Sequence, residues 1–176
     1  HDRHLSSRKW NLDPVVKLIR ETKEDWWEVE SLFDLCFAPG REALSSYRLR
    51  DNLSPIGELC FLVRDDTGAV GGAVRFWEVQ IGYKAVLLLG PIAVHPTRQG
   101  EGLGEYMMHE SLSIATKAGW SRVLLVGDAS YYSRFGFAKL SNVIMPPPIN
   151  SERILGKDLI EGAWHAVTGH VTRVEG

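Results

Sequence analysis

The segment that most constrains this chain runs from an apolar stretch through a glycine-rich loop into an amphipathic helix. Residues 85–94 are apolar almost throughout, and Gly100, Gly102 and Gly104 follow them. Residues 103–118 then place apolar side chains along one stripe at helical spacing. A glycine loop that ends at a helix N-terminus exposes backbone N–H groups and the positive end of the helix dipole. The pattern therefore predicts a cradle for a phosphate or diphosphate group.

Two common phosphate-binding motifs fit this loop poorly. A P-loop needs Gly-x-x-x-x-Gly-Lys-Ser/Thr, and no Lys-Ser or Lys-Thr pair follows these glycines. A dinucleotide fingerprint needs Gly-x-Gly-x-x-Gly, whereas the glycines here alternate with single residues. Asp128 stands where that fingerprint could have its acid, but the chain after it is too short for the remaining βαβ units. A nucleotide-dependent enzyme and a glycine-rich helix start without a ligand remain as alternatives.

Composition favours one globular domain and argues against several classes of protein. The chain has 176 residues, of which 44% are hydrophobic and 24% charged, and its net charge is -2. Such values give no electrostatic reason to expect nucleic acid or an anionic membrane as a partner. Two cysteines provide neither a disulfide framework nor a metal cluster. We therefore expect a cytoplasmic protein without a metal, with an N-terminal extension at residues 1–14 and a single domain at 15–176.

The order of the expected elements indicates a mixed α/β fold whose front half is largely antiparallel. Strands are predicted at 15–20, 58–64, 69–80, 85–94, 122–126, 137–140, 154–159 and 166–174. Helices are predicted at 24–37, 41–51, 103–118 and 129–135. The Asp-Asp-Thr-Gly turn at 65–68 predicts a hairpin. Pro91 predicts a distortion inside its strand, because proline cannot donate to a ladder.

Two segments resemble the GNAT superfamily of acetyl-CoA-dependent N-acetyltransferases. Residues 99–104, Gln-Gly-Glu-Gly-Leu-Gly, match its Gln/Arg-x-x-Gly-x-Gly/Ala signature, and residues 123–137 resemble the strand and short helix that follow it. Tyr132 fits the family pattern Tyr-x-x-x-Gly-Phe. The runs Leu-Gly-Pro-Ile-Ala-Val-His-Pro and Gly-Asp-x-x-Tyr-Tyr-x-Arg-Phe-Gly-Phe resemble a bacterial subgroup of that superfamily. The core of the resemblance covers residues 85–140.

The resemblance implies an α/β (α+β) fold with a mixed, mostly antiparallel sheet, a splayed parallel strand pair and flanking helices. It implies an N-acetyltransferase in which a primary amine attacks acetyl-CoA directly. The diphosphate would lie on the loop amides, and the pantetheine arm would pair with the end of the preceding strand. The cofactor-binding residues implied in this way are Ile92, Ala93, Val94, Arg98, Gln99, Gly100, Glu101, Gly102, Leu103 and Gly104.

The resemblance makes Tyr132 the general acid that protonates the departing CoA thiolate, with helix packing as its alternative role. The base is left open, because the apolar strand carries no carboxylate at the position where many family members have a glutamate. Glu78 and His95 are the candidates, although a solvated strand residue and a turn residue are their simpler roles. Asp128 could bind the amine substrate or only cap the following helix.

The acceptor is the least constrained part of the function. Arg41, Arg48 and Arg50 lie in the segment that covers the acceptor site in this family, and they could bind an anionic group or simply form a solvated face, which we favour. The expected acceptor is a small-molecule or protein amine, and a homodimer is compatible with the sequence. Because a strand carboxylate is missing, a non-catalytic acyl-CoA-binding sensor remains the alternative function.

Overall fold

A mixed β-sheet organises the residues that the computed structural model describes, which are 16–37, 49–50 and 53–174. The strands in these residues are β1 (Ile19–Arg20), β2 (Phe61–Arg64), β3 (Val70–Ile81), β4 (Lys84–Val94), β5 (Arg122–Val126), β6 (Ala138–Lys139), β7 (Val143–Ile144), β8 (Ile154–Asp158) and β9 (Gly169–Arg173). The helices are α1 (Trp26–Cys36), α2 (Leu103–Lys117) and α3 (Ala129–Tyr132). The sheet has the order β1-β2-β3-β4-β5-β8-β6, with β9 beside β3 and β7 beside β9.

The expected α/β class with a mostly antiparallel sheet is confirmed, and the differences lie in the short elements. The strand at 122–126 has the predicted bounds. The predicted first strand is reduced to β1, which pairs only with Phe61 and Leu62. β7 was missed, because two residues are too short to show a hydrophobic period. Most of the predicted helix at 41–51 lies outside the described residues.

β2, β3 and β4 form the antiparallel meander at the centre of the sheet. The predicted hairpin between β2 and β3 is confirmed, and the Asp65 carboxylate closes its turn by accepting the N–H groups of Thr67 and Ala69 at 2.8 and 3.0 Å. The register between β3 and β4 shifts between Val74 and Phe76, opposite the segment 90–91. The predicted distortion at Pro91 is therefore present, since a proline in this position leaves the ladder without a donor.

β4 and β5 are parallel neighbours that pair over a short length. Leu87 lies opposite Val123, and Leu88 lies opposite Leu124. β4 runs on to Val94 after these pairs, so its carboxyl end extends beyond its register with β5. The stretch of β4 from Leu89 to Val94 therefore has no partner residue on β5.

The two faces of the sheet carry different layers. α2 covers one face, where Met108, Leu112 and Ala115 pack against residues that include Phe76 and Leu87. α1 and the C-terminal residues cover the opposite face, which presents Ala73 to α1 and Trp77 and Leu88 to the C-terminal part. Alternation along β4 turns Ala93 toward α1 and Val94 toward α2. None of the described helices has the length and apolarity needed to cross a membrane.

Candidate active site

A cleft of about 650 Å³ lies between the glycine loop and α3. It brings together most of the residues that the sequence assigns to the cofactor. Ile92 and Ala93 precede the cleft on β4, where Ala93 faces α1 instead of the cleft. The residues that line the cleft are Val94, Arg98, Gln99, Gly100, Glu101, Gly102, Leu103, Gly104, Glu105, Tyr131 and Arg134.

The backbone of residues 99–104, which we call the cradle, depends on glycine at two positions. Gly100 and Gly102 have φ values of +87° and +83°, a left-handed conformation that other residues rarely adopt. Gly102 is the N-cap of α2, and its carbonyl accepts the N–H of Tyr106 at 3.0 Å. A Cβ on Gly104 would lie 3.6 Å from Val94 and 3.7 Å from the Tyr131 hydroxyl oxygen. The backbone N–H groups of the cradle are therefore not covered by side chains at Gly100 and Gly102, and Val94 and Tyr131 lie close to Gly104. Such an arrangement at a helix N-terminus suits an anion.

Arg98 ties the cradle to the turn between β2 and β3. Its Nη2 lies 2.9 Å from Asp65 Oδ2 and 3.5 Å from Asp66 Oδ1, and its Nη1 lies 3.8 Å from Glu101 Oε2. Hydrogen bonds from the Thr67 hydroxyl and from Arg98 hold the pKa of Asp65 well below its usual range. We call Asp65, Asp66, Arg98 and Glu101 the Arg98 clamp. It contains three carboxylates and one guanidinium.

Tyr132 is the last residue of α3 and packs against Gly127, directly after β5, and it is not among the residues that line the cleft. A Cβ on Gly127 would come within 2.5 Å of Tyr132 Cε2, so the ring covers a stretch of backbone where only glycine leaves room for it. The ring also packs edge-to-face against Tyr131 and Phe137, with centroids 4.9 and 6.1 Å apart. Burial raises the pKa of the Tyr132 phenol above its ordinary value. The phenol is therefore held in the protonated form that a general acid needs.

Asp128 starts α3. Its carboxylate accepts the Ser130 N–H at 3.0 Å and the Ser130 hydroxyl at 2.9 Å. This is the capping role that the sequence allowed, and it leaves the exposed side chain next to the end of β5.

Neither candidate base lines the cleft. Glu78 is exposed and lies opposite Leu87, at the level where β4 is still paired with β5. His95 belongs to a separate groove against α1 that also contains Trp27. Its Nδ1 accepts the Thr97 N–H at 3.2 Å, which is the turn-forming role expected before Pro96.

The opposite face of the sheet holds charged residues that the sequence did not indicate. Arg75 donates from Nε and Nη2 to the Glu21 carboxylate, at 3.0 and 2.8 Å, and from Nη1 to Glu30. Its guanidinium also lies 5.1 Å from the centre of the Phe33 ring. We call Arg75, Glu21 and Glu30 the buried ionic cluster. The only signal in the sequence is an arginine inside the otherwise apolar stretch 70–77 of β3.

Arg50 is also buried on this face, at 7% exposure. Its guanidinium stacks 5.4 Å from the Trp77 ring, and its Nη2 lies 2.9 Å from the position that a Cβ on Gly90 would take. The favoured prediction of a solvated arginine face is therefore wrong for Arg50, because the missing side chain at position 90 admits the guanidinium beneath β4. Arg41 and Arg48 lie outside the described residues.

Three residues that line the cleft were not assigned to it from the sequence, namely Glu105, Tyr131 and Arg134. The Tyr131 hydroxyl oxygen lies 3.7 Å from the position that a Cβ on Gly104 would take, so its ring faces the start of α2. The Cζ of Arg134 lies 4.5 Å from the centre of the Tyr131 ring. The spacing of Tyr131 and Arg134 in one short helical segment could have revealed the pair.

Comparisons with known proteins agree with this geometry. Residues 57–139 match the family described as an acetyltransferase (GNAT) domain. Over 112 residues, the chain is 31% identical to the uncharacterized N-acetyltransferase YhbS of Escherichia coli K12. The alignment covers 62% of this chain. It spans 65% of the length of that relative.

Two solved structures are similar over most of their length. The crystal structure of YhbS from Escherichia coli in complex with CoA has a TM-score of 0.78 and 26% identity, and the match covers 91% of this chain and 90% of that one. A GNAT family acetyltransferase from Brucella melitensis in complex with acetyl-CoA has a TM-score of 0.60 and 29% identity, with 79% and 94% covered.

Proposed function

From its GNAT acetyltransferase domain, we propose that this chain transfers the acetyl group of acetyl-CoA to a primary amine, by direct attack and without a covalent enzyme intermediate. The observation that carries the proposal is the cleft that joins the cradle, the end of β4 and α3. The CoA and acetyl-CoA complexes of similar proteins support the identity of the acetyl donor.

The residues of the cleft fit such a donor. The cradle offers N–H groups without side chains at Gly100 and Gly102, and it lies at the positive end of α2, where a diphosphate is stabilised. Beyond its register with β5, the end of β4 from Ile92 to Val94 offers backbone groups to the amides of a pantetheine arm. Arg98 borders the cradle, and a diphosphate could compete with Asp65 for its guanidinium.

Acetyl-CoA, when bound, supplies an activated acyl group on a thioester. Tyr132 then acts as the general acid and passes its phenolic proton to the departing sulfur. Burial raises the pKa of this phenol, so the group carries its proton at neutral pH. A thiol is ordinarily a stronger acid than a phenol, so the transfer to sulfur depends on the two groups being held together and shielded from water.

The acceptor amine must lose a proton before it attacks. We propose Glu78 or His95 as the group that receives this proton. Because neither side chain lines the cleft, the proton would travel through water to reach them. Asp128 is proposed to bind the acceptor amine, since its exposed carboxylate stands at the end of β5. The acceptor itself is proposed to be a small-molecule or protein amine, met in the cytoplasm.

The test is CoA release from acetyl-CoA with a panel of amines, comparing the parent chain with Tyr132→Phe. We expect kcat to fall about a hundredfold in the variant, as for the loss of a general acid, with little change in the affinity for acetyl-CoA. Tyr83→Phe is the matched control, because Tyr83 is fully exposed in the turn between β3 and β4. Full activity of Tyr132→Phe would remove the general-acid assignment.

The position of the two candidate bases outside the cleft favours a second function, a non-catalytic acyl-CoA sensor. This alternative predicts acetyl-CoA binding by calorimetry with no turnover of any amine in the panel. Turnover with one amine would exclude it, and NAD binding in the absence of CoA binding would exclude both proposals.

A further inference from the structure

Arg134 occupies the outer rim of the cleft in a fixed position. Its Nε donates to the main-chain oxygen of Tyr131 at 3.0 Å, and its guanidinium lies over the ring of the same residue. The side chain nevertheless remains 52% exposed. Tyr131 therefore orients a solvent-accessible cation toward the opening of the cleft.

The two arginines that line the cleft differ in the acids around them. Arg98 is within 4 Å of three carboxylates in the Arg98 clamp. Arg134 has one carboxylate near it, that of Glu105, at the longer distance of 3.6 Å. A phosphate therefore displaces less existing interaction at Arg134 than at Arg98.

The cleft is lined by the end of β4 at Val94, by the cradle, and by Tyr131 and Arg134 next to Glu105. The pantetheine arm and the thioester are proposed to lie on the side of Val94. The cradle follows, and it accounts for the diphosphate. Tyr131 faces Gly104 at the start of α2, and Arg134 lies beyond it, next to Glu105. The part of CoA that extends beyond its diphosphate is the adenosine with its 3′-phosphate.

On the basis of the proposed function, we infer that Arg134 binds the 3′-phosphate of CoA and that Tyr131 is the positioning residue that holds its guanidinium in place. A phosphate monoester carries up to two negative charges and accepts two parallel N–H bonds from a guanidinium. The pair thereby distinguishes CoA from 3′-dephospho-CoA, which has the same diphosphate and pantetheine arm.

The experiment measures the affinities of CoA and 3′-dephospho-CoA by calorimetry in the parent chain and in Arg134→Gln. We expect the parent to prefer CoA by about tenfold, as for a hydrogen bond between charged groups. In Arg134→Gln this preference should fall close to one, through weaker binding of CoA and unchanged binding of 3′-dephospho-CoA. Lys84→Gln is the matched control, because it removes the same charge from an exposed site at the far end of β4.

Two further variants separate recognition from a general charge effect. Glu105→Gln removes the carboxylate that competes for Arg134, so it should strengthen CoA binding more than 3′-dephospho-CoA binding. Tyr131→Leu keeps the cation and removes its ring support, so it should lower the preference for CoA without abolishing it. Raising the salt concentration should shrink the preference in the parent and leave Arg134→Gln unaffected.

Two outcomes would overturn the inference about the 3′-phosphate and leave the proposed function intact. Equal weakening of both ligands in Arg134→Gln would place this arginine on the diphosphate, and equal affinities in the parent would show that the 3′-phosphate is not recognised. A parent chain that binds neither ligand would overturn the proposed function itself, and the inference with it.

Discussion

The Arg98 clamp and the buried ionic cluster are built from the same chemistry in opposite surroundings. In each, one arginine meets more carboxylates than its charge can balance. Arg75 is 7% exposed, whereas Arg98 is 31% exposed and borders the cradle. A buried charge must keep its partners, while an exposed pair exchanges them with water or a ligand at little cost. We infer that the cluster fixes α1 on the sheet and that the clamp is free to adjust when an anion binds.

The largest effect should come from breaking the buried ionic cluster. Arg75→Met leaves Glu21 and Glu30 without their cation, and we expect the free energy of unfolding to fall by about 3–5 kcal/mol, measured by urea denaturation. The affinity of the remaining folded protein for CoA should stay within about twofold of the parent value, since no member of the cluster lines the cleft.

Arg64→Met is the matched control for that prediction. Arg64 also binds two carboxylates, those of Asp25 and Glu28, but it is 29% exposed. Its loss should cost about 1 kcal/mol or less. Equal losses in the two variants would contradict the distinction between buried and exposed ion pairs in this protein.

In the cradle we expect a large loss of CoA affinity with little loss of stability, which is the opposite of the result expected for Arg75→Met. Gly102→Val places a β-branched side chain at a φ of +83° and covers the N–H groups that would face the diphosphate. CoA affinity should fall about a hundredfold, measured by calorimetry, while the free energy of unfolding changes by about 2 kcal/mol or less. Gly82→Val has the same kind of backbone strain in the turn between β3 and β4, where nothing lies within 4 Å, and should retain CoA binding. Tight CoA binding by Gly102→Val would show that the cradle is not the diphosphate site.

These two regions also differ in how far the sequence reveals them. The cradle is one contiguous stretch after a buried strand, so its glycine spacing predicts its position. The family resemblance of the same stretch implies most of the residues that line the cleft. The buried ionic cluster joins residues 21, 30 and 75, which meet only when α1 packs on the sheet. Arg50 was placed on a solvated face for the same reason, because its burial depends on Gly90, a residue in another element. Local backbone chemistry is visible in a sequence, whereas contacts between distant segments depend on the completed fold.

The smallest effect concerns how readily the Arg98 clamp opens. Asp65→Asn removes the carboxylate nearest to Arg98 but keeps a side-chain oxygen for the turn N–H groups, so the hairpin should persist. The freed guanidinium and the lost negative charge both favour a polyanion, and we expect CoA to bind roughly threefold more tightly at low salt. Asp66→Asn removes the same charge from a residue 3.5 Å from Arg98 and should act more weakly.

The pH dependence of the same variant gives the sharper test. Because the pKa of Asp65 is lowered in the folded chain, its charge is present above the ordinary aspartate range and is lost only as the pH falls through the lowered value. The difference between the parent and Asp65→Asn is measured with 3′-dephospho-CoA, which lacks the phosphate monoester that titrates near about pH 6, and it should therefore be constant between about pH 5 and 8. A difference that shrinks toward pH 5 would show that Asp65 titrates there and that Arg98 does not hold it. Weaker CoA binding by Asp65→Asn at neutral pH would mean that the cradle needs Arg98 anchored in the clamp more than it needs a free cation.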